Sequence, residues 1–489
     1  MSGNQLNLLA LNKPEIRTLH LTWFAFFISF MVWFAHAPLM VVIREAMHLS
    51  EQEVKILLIL NVALTIPARI VVGMLVDKHG PRFMFSLILI LGGLISIGFA
   101  CTQNYQQLAI VRFLSGFVGA GFVVGIRMIS EWFPARQTGI AQGIYGGWGN
   151  FGSAGAAIIL PTVAFYFGAE DGWRYAVAST GVLAIVYGCI YYFSVSNTPK
   201  GSTYFKPKKM GAMEVTSKAD LLLYILMNIP MYLALSVLTW KLSEKMQWID
   251  PIVAYAIYGT LIVLYFYQVW KIIQVNQSIF HTEVPKLQRY AFKQIAILDL
   301  AYMLTFGAEL AVCSMLPLYY VDTFNVDPIM AGILAGIYPF INLFARPAGG
   351  WLSDKIGRKI TLGIVTCGTA FSFFALSLVN TDWALWSVVA VTVVCGIFSK
   401  AGSGAVYAMV PLIQRRMTGQ FAGMVGAFGN VGGLAFLTVF SFVSTDVFFL
   451  TIAITAAFVF FMLLIFLDEP TGHMFEVLED GTVEMIDVK

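Results

Sequence analysis

Gly73-Met-Leu-Val-Asp77-Lys-His-Gly80-Pro-Arg82 and Gly350-Trp-Leu-Ser-Asp354-Lys-Ile-Gly357-Arg-Lys359 are one phrase written twice, 277 positions apart. Gly149-Asn150-Phe-Gly152 returns as Gly429-Asn430-Val-Gly432 at an offset of 280, and Arg136-Gln-Thr-Gly139 returns as Arg416-Met-Thr-Gly419 at the same offset. Three matches at nearly one offset make the chain a duplicated unit.

Composition says what kind of unit. Of 489 residues, 58% are hydrophobic and 12% charged, against roughly 25% charged in an ordinary soluble protein, and the mean hydropathy is +0.78. Apolar runs of about 20 residues, the length of a helical membrane crossing, recur along the chain. Barrel-type alternation is absent, so the spans are expected to be helices. Six lie near 20–43, 54–77, 82–101, 107–130, 139–168 and 173–194, and six more near 292–321, 329–353, 359–379, 384–407, 417–443 and 446–467. Between the sets, 220–239 and 252–273 are two further runs long enough to span, with surface or re-entrant packing as the alternative. The expected fold class is an all-α polytopic membrane protein: two pseudo-symmetric six-helix bundles plus an inserted pair, 12 + 2. The expected division is a polar N-terminus (1–19), an N-terminal bundle (20–194), a central linker with two hydrophobic helices (195–291), a C-terminal bundle (292–467) and an acidic tail (468–489). Residues 1–19 are too polar for a signal peptide. Basic residues gather at 78–82, 131–138, 355–359 and 414–416, while 102–106, 322–328 and 444–447 hold no Lys or Arg. Both termini are therefore expected in the cytoplasm of a multi-pass plasma (bacterial inner) membrane protein.

Arg69 and Arg346 each stand four residues before the first glycine of the doubled phrase, inside apolar segments. An arginine at mid-membrane costs about 2.5–3.5 kcal/mol on insertion scales. Two at matched positions converge on the pseudo-two-fold axis, where such proteins bind their substrates. Neither helix supplies an acid one turn toward the membrane centre, and two guanidinium forks facing a cavity favour a planar oxyanion. Structural ion-pair partners from other helices remain the competing reading. The helices near 139–155 and 419–433 are dense in glycine, which lets backbones approach closely and keeps the enclosed space small; Asn150 and Asn430 add amide donors.

The G-x-L-x-D-x-x-G-x-[RK] loop in both halves resembles the signature of the major facilitator superfamily over about residues 20–467. The loop aspartate can cap a helix N-terminus while basic residues hold helix ends together, which makes Gly73, Asp77, Gly350 and Asp354 expected gating residues. The paired G-x-G-N-x-G motifs, an arginine in the second helix of each half and the opening span Phe26–Pro38 are similar to the nitrate/nitrite porter family. That resemblance implies alternating-access import of nitrate, and of nitrite, as a secondary active transporter. It also implies that Arg69 and Arg346 clamp the anion, that Asn150, Asn430, Gly149 and Gly429 face it, and that Tyr302, Phe306 and Phe122 wall the pocket. Glu309 is the expected proton-coupling residue, since an intramembrane carboxylate commonly serves a proton relay. Asp299, nearer the start of the same helix, is expected at the membrane interface. Arg112 and Arg127 are expected to belong to a structural network in the fourth helix.

Nitrate/nitrite exchange, and transport of an organic anion by the same fold, are the alternatives. An enzyme is not expected: the sequence has no P-loop, no metal-ligand cluster and no nucleophile–base pair in a plausible frame. No cofactor, metal or nucleic acid is expected; the expected partners are the anion, the bilayer and protons, with the chain a monomer.

Overall fold

The computed structural model describes residues 6–168, 171–207, 209, 211–281, 284, 289–326, 328–440, 442–470, 473–477 and 483–487. The N-terminal half comprises α1 (Pro14–Phe34), the short α2 (Met40–Ala46), α3 (Glu51–His79), α4 (Pro81–Ala100), α5 (Tyr105–Ser115), α6 (Gly121–Trp132), α7 (Ala135–Asn150), α8 (Gly152–Phe167) and α9 (Gly172–Ser194). Two central helices follow, α10 (Lys218–Trp240) and α11 (Pro251–Val275). The C-terminal half holds α12 (Lys293–Phe324), α13 (Pro328–Phe340), α14 (Asn342–Ile356), α15 (Arg358–Ser377), α16 (Leu385–Met409), α17 (Thr418–Phe440) and α18 (Thr445–Phe466). The membrane body is entirely helical. The tail, expected only to be polar, pairs β1 (His473–Val477) with β2 (Val483–Asp487) in an antiparallel hairpin.

Thirteen helical stretches among the described residues are long and apolar enough to cross a membrane, and both central helices are among them. The second span of the C-terminal half is not one of the thirteen, because it breaks at Ile341 into pieces of 13 and 15 residues. Two other spans are interrupted at points where the sequence reading drew a continuous helix. A 3-10 stretch, Gly116–Ala120, joins α5 to α6, and Phe151 separates α7 from α8 directly after Asn150. Each break falls at the depth of the central site.

The signature loops are tight helix-to-helix corners. Gly80 and Gly357 adopt φ of 87° and 107°, values that a residue with a Cβ rarely takes, so the second glycine of each loop is a conformational requirement. The next helix is capped in each half by a residue from beyond that half's last helix. Asn197 Oδ1 accepts from Arg82 N at 2.9 Å, and Glu469 accepts from Arg358 N at 2.8 Å and from Lys359 N at 2.7 Å. Negative charge at a helix N-terminus is stabilising, which gives the first residues of the acidic tail a structural role.

The halves meet along two crossings, α3 on α17 and α7 on α14. At both, glycine faces glycine: Gly73 lies against Gly419 and Gly423, and Gly350 against Gly139. Within the C-terminal half, Gly307 of α12 packs on Gly432 of α17, and a Cβ at Gly432 would run into the Met303 carbonyl oxygen. Gly432→Val therefore overpacks a backbone contact and is expected to cost about 1–3 kcal/mol. Thermal unfolding in detergent should show a lower midpoint, and an unchanged midpoint would contradict the packing described.

Candidate functional site

The two arginines come together around one aromatic ring. Arg69 on α3 and Arg346 on α14 are 0% and 1% exposed, and their guanidinium carbons lie 5.3 and 5.5 Å from the centroid of Phe306. Phe306 stacks on Tyr302 at 5.1 Å, Tyr302 lies parallel to Phe122 at 6.4 Å, and Arg69 is 5.7 Å from the Phe122 centroid. Tyr407 of α16 closes the box by meeting Phe122 and Tyr302 edge-on, at 4.7 and 4.8 Å. The three aromatics named from the sequence thus form one wall, drawn from both halves. Aromatic faces attract cations, by about 2 kcal/mol or more where water is excluded, so this wall holds the arginines without neutralising them.

Beyond the aromatics, the two guanidinium groups are satisfied differently. Among the described residues Arg69 donates to backbone alone: Nη1 to the Gly426 carbonyl at 2.6 Å and Nε to the Gly119 carbonyl at 3.3 Å. The 3-10 stretch that contains Gly119 makes that acceptor available, because its tighter winding spoils the i to i+4 pattern. Arg346 has a counter-ion. Its Nη2 lies 3.0 Å from Glu309 Oε2, its Nε donates to Asn342 Oδ1 at 3.0 Å, and Asn342 Nδ2 donates to Glu309 Oε1 at 2.6 Å. Two facing, unpaired guanidinium groups are thus not what is found. The competing reading holds for Arg346, whose partner comes from α12 and not from its own helix. Lys400 of α16 is 0% exposed, with Nζ 3.9 Å from Glu309 Oε1 and 3.4 Å from the centroid of the Tyr338 ring.

The glycine-rich helices bring their backbones against the arginines. A Cβ on Gly146 would sit 3.4 Å from Arg346 Nη1, and one on Gly426 would sit 3.3 Å from Arg69 Nη1. Gly149 and Gly429, named from the sequence, lie one turn further on, beneath Phe26 in one half and Tyr302 and Phe306 in the other. They set the position of the aromatic wall. Asn150 and Asn430 are buried beside the site, but each amide donates to its own helix, to Gly146 O at 2.6 Å and Gly426 O at 3.2 Å. Asn430 Oδ1 has no hydrogen-bond partner.

The gating residues named from the sequence form two crossed latches. Asp77 of the N-terminal half accepts from Gly419 N at 3.0 Å and Gln420 N at 2.9 Å, at the start of α17 in the other half. Asp354 of the C-terminal half accepts from Gly139 N at 3.1 Å and Ile140 N at 2.8 Å, near the start of α7. Each half caps a helix of the other. Arg127 reinforces the first latch, 3.4 Å from Asp77 and 3.0 Å from Glu131, and also donates to the Arg415 carbonyl across the seam. Arg358 donates to the Ala135 carbonyl at 3.0 Å beside the second. Arg112 bonds the Leu57 and Trp33 carbonyls, the structural role expected of it. Asp299, expected at the interface, is instead 0% exposed, because α12 runs one and a half turns further into the bundle before reaching it.

Lys400, Asn342 and Tyr407 escaped the sequence reading. Lys400 had a signal, a lone lysine within an apolar span. Asn342 lies one helical turn before Arg346, the spacing at which helix side chains meet. Nothing in the sequence distinguishes Tyr407 from its aromatic neighbours.

The family model of the Major Facilitator Superfamily matches residues 22–279 and 298–487. The proton:xylose symporter XylE, solved with a bromodeoxyglucose, superposes with a TM-score of 0.61 at 14% identity, covering 93% of this chain and 96% of that one. The nitrate/nitrite transporter NrtP of Nostoc punctiforme is 43% identical over 480 residues, with 96% of each chain covered. NrtP of Picosynechococcus is 42% identical over 513 residues, again with 96% of each covered. The chain belongs to the major facilitator superfamily and, within it, to the nitrate/nitrite porter family.

The latches can be tested directly. Asp354→Asn removes the charge and one of the two accepting oxygens, and a negative charge at a helix N-terminus contributes about 0.3–1 kcal/mol. The contact between halves should open more often, so that a cysteine at the buried Ser353 reacts faster with a thiol reagent in Asp354→Asn than in the parent. Equal rates would contradict a latch.

Proposed function

We propose that the protein imports nitrate, and nitrite, by alternating access of its two halves, driven by protons through Glu309. One observation carries the reading. A pair of buried arginines from symmetry-related helices converges on Phe306, and the carboxylate of Glu309 holds one of them. The names and near full-length similarity of the NrtP relatives support nitrate and nitrite as the substrates.

The chemistry follows from shape. Carboxylate and nitrate are both planar oxyanions that fit a guanidinium fork. Glu309 therefore occupies at Arg346 the kind of place that nitrate seeks, and the two compete. A proton on Glu309 removes its charge, dissolves the ion pair and frees Arg346 for the anion. Binding free energies couple reciprocally, so an anion at Arg346 must in turn favour the proton on Glu309. Lys400, 3.9 Å from Glu309, keeps the displaced carboxyl near its place. Arg69, bound only to carbonyls, can turn toward the anion without abandoning a charge. Asn150 and Asn430 join once their amides leave the Gly146 and Gly426 carbonyls.

The latches supply the alternation. With Asp77 and Asp354 capping across the seam, the signature-loop side is shut; opening breaks both caps together. Its many lysines and arginines put this face in the cytoplasm. Helices α10 and α11 complete fourteen crossings, with Tyr255, Phe266 and Trp270 of α11 exposed to lipid. A ladder holds this pair together within the membrane: Gln268 donates to Asn228 at 2.7 Å and accepts from Tyr232 at 2.6 Å.

Two measurements in proteoliposomes decide the matter. Acid outside should drive nitrate uptake in the parent, and Glu309→Gln should lose that drive; uptake that ignores pH and requires internal nitrite would establish exchange instead. Arg69→Lys keeps the charge but loses the fork, and the loss of one charge-assisted hydrogen bond, about 1.5–3 kcal/mol, should weaken nitrate binding by more than tenfold. Unchanged affinity would remove Arg69 from the clamp.

A further inference from the structure

Asp299 is a carboxyl for which neither the fold nor the anion site accounts. It is 0% exposed, and neither of its oxygens has a hydrogen-bond partner among the described residues. Burying an ionised carboxylate with no partner is among the most costly arrangements a protein can adopt. A single carboxyl proton removes the charge, so a protonated Asp299 is the form this packing tolerates.

Its position is informative as well. Asp299, Tyr302, Phe306 and Glu309 follow one another at intervals of three, four and three residues, which places them on one face of α12. Tyr302 and Phe306 are the aromatic wall, and Glu309 pairs with Arg346. The two carboxyls of α12 therefore bracket the arginines, about 15 Å apart along the helix at 1.5 Å per residue. Glu309 lies on the side away from the latches. Asp299 lies toward them: α12 begins at Lys293, and just before it Tyr290 packs at a tilt against Phe421, in the first turn of the latched helix α17, with ring centroids 5.4 Å apart.

A polar thread links the two acids through this otherwise apolar region. Glu309 is paired with Arg346 at 3.0 Å, and Arg346 interacts electrostatically with the Tyr302 hydroxyl. Tyr302 meets Tyr407 edge-on at 4.8 Å, and Tyr407 is near enough to Asp299 for the two to interact electrostatically. Tyr407, on α16, donates to the Ala422 carbonyl at 3.2 Å. Among the described residues, Tyr407 is the titratable group that meets Asp299 from a neighbouring helix, and no cation acts on Asp299.

We propose that Asp299 is the latch-side proton site of the transport cycle, which holds its proton while the latches are closed and releases it to water when they open. This rests on the proton-driven reading above and adds to it a second carboxyl and a direction. The step balances without a further reagent. Once Asp299 has given up its own proton on the open side, an O–H bond at Glu309 breaks and one at Asp299 forms again, with the phenols of Tyr302 and Tyr407 and entering water as carriers. When the latch side opens, the Asp299 O–H bond breaks and the proton passes to water on that side.

The test uses the whole protein in proteoliposomes, comparing parent, Asp299→Asn, Asp299→Glu and Glu309→Gln. Two fluxes are read: nitrate uptake, with its accompanying proton movement, under a pH gradient, and exchange of labelled for unlabelled nitrate at equal pH. Asn mimics the protonated acid but cannot release a proton. Asp299→Asn is therefore expected to lose gradient-driven uptake and nitrate-coupled proton movement while keeping exchange, and Asp299→Glu to restore part of the drive. Asp299→Asn with undiminished gradient-driven uptake would overturn the assignment, as would loss of exchange together with drive, which marks a structural role. A parent that moves no protons with nitrate would sink the proton-driven reading itself, and this inference with it. Drive lost in Glu309→Gln but kept in Asp299→Asn would sink only the role of Asp299.

Discussion

Two guanidinium groups buried in the middle of a membrane bundle constrain everything around them. A charge at that depth must find partners or be excluded, and each arginine here is satisfied by elements that the fold deforms to supply them. The 3-10 stretch before α6 presents the Gly119 carbonyl to Arg69, and the break at Ile341 begins a new helix at Asn342, the residue that orients Arg346. Glycine at 146 and 426 keeps side chains out of the space that the guanidinium groups occupy. The irregular helices are thus a consequence of the charges. Non-helical backbone at membrane depth survives where protein surrounds it, and here it surrounds the site.

The pseudo-symmetry is exact in the latches and broken at the centre. Asp77 on α17 and Asp354 on α7 repeat each other bond for bond, at distances of 2.8–3.1 Å. The arginines do not: carbonyls satisfy one, whereas a carboxylate and an amide satisfy the other. Symmetric latches suit a machine whose halves separate as rigid units about an axis. An asymmetric centre suits coupling, because only the half that holds a titratable partner can tie anion occupancy to a proton. α12 carries that partner and two rings of the aromatic wall, Tyr302 and Phe306.

Much of this was legible in the sequence, for identifiable reasons. The duplicated loops hint at their own geometry: the glycines at 80 and 357 suit a positive φ, and the aspartates at 77 and 354 are able to cap a helix N-terminus. The intramembrane arginines announced themselves by their cost. What the sequence could not show is who meets whom across helices. Periodicity places Glu309 on the same helix as Tyr302 but says nothing of α14, so its pairing with Arg346 appeared only in three dimensions. Lys400 stood in plain view as a lysine in an apolar run, yet its place beside Glu309 depends on the packing of α16. Asp299 was read by its distance from the start of a helix, a poor guide when that helix enters the bundle at once.

An ion pair between Glu309 and Arg346 also changes how the site discriminates among anions. A preformed cavity lined by free arginines would admit any anion that fits. In a site whose arginine is already held by a carboxylate, with Asn342 bridging the two groups, an entering anion has to replace that carboxylate. The internal acid sets the standard that a substrate must match. The glycine faces of α7 and α17 pack directly against the halves' crossing helices and leave little room around the arginines. On the proposed proton-driven cycle, the residue that competes with the anion for Arg346 is also the one that takes the proton.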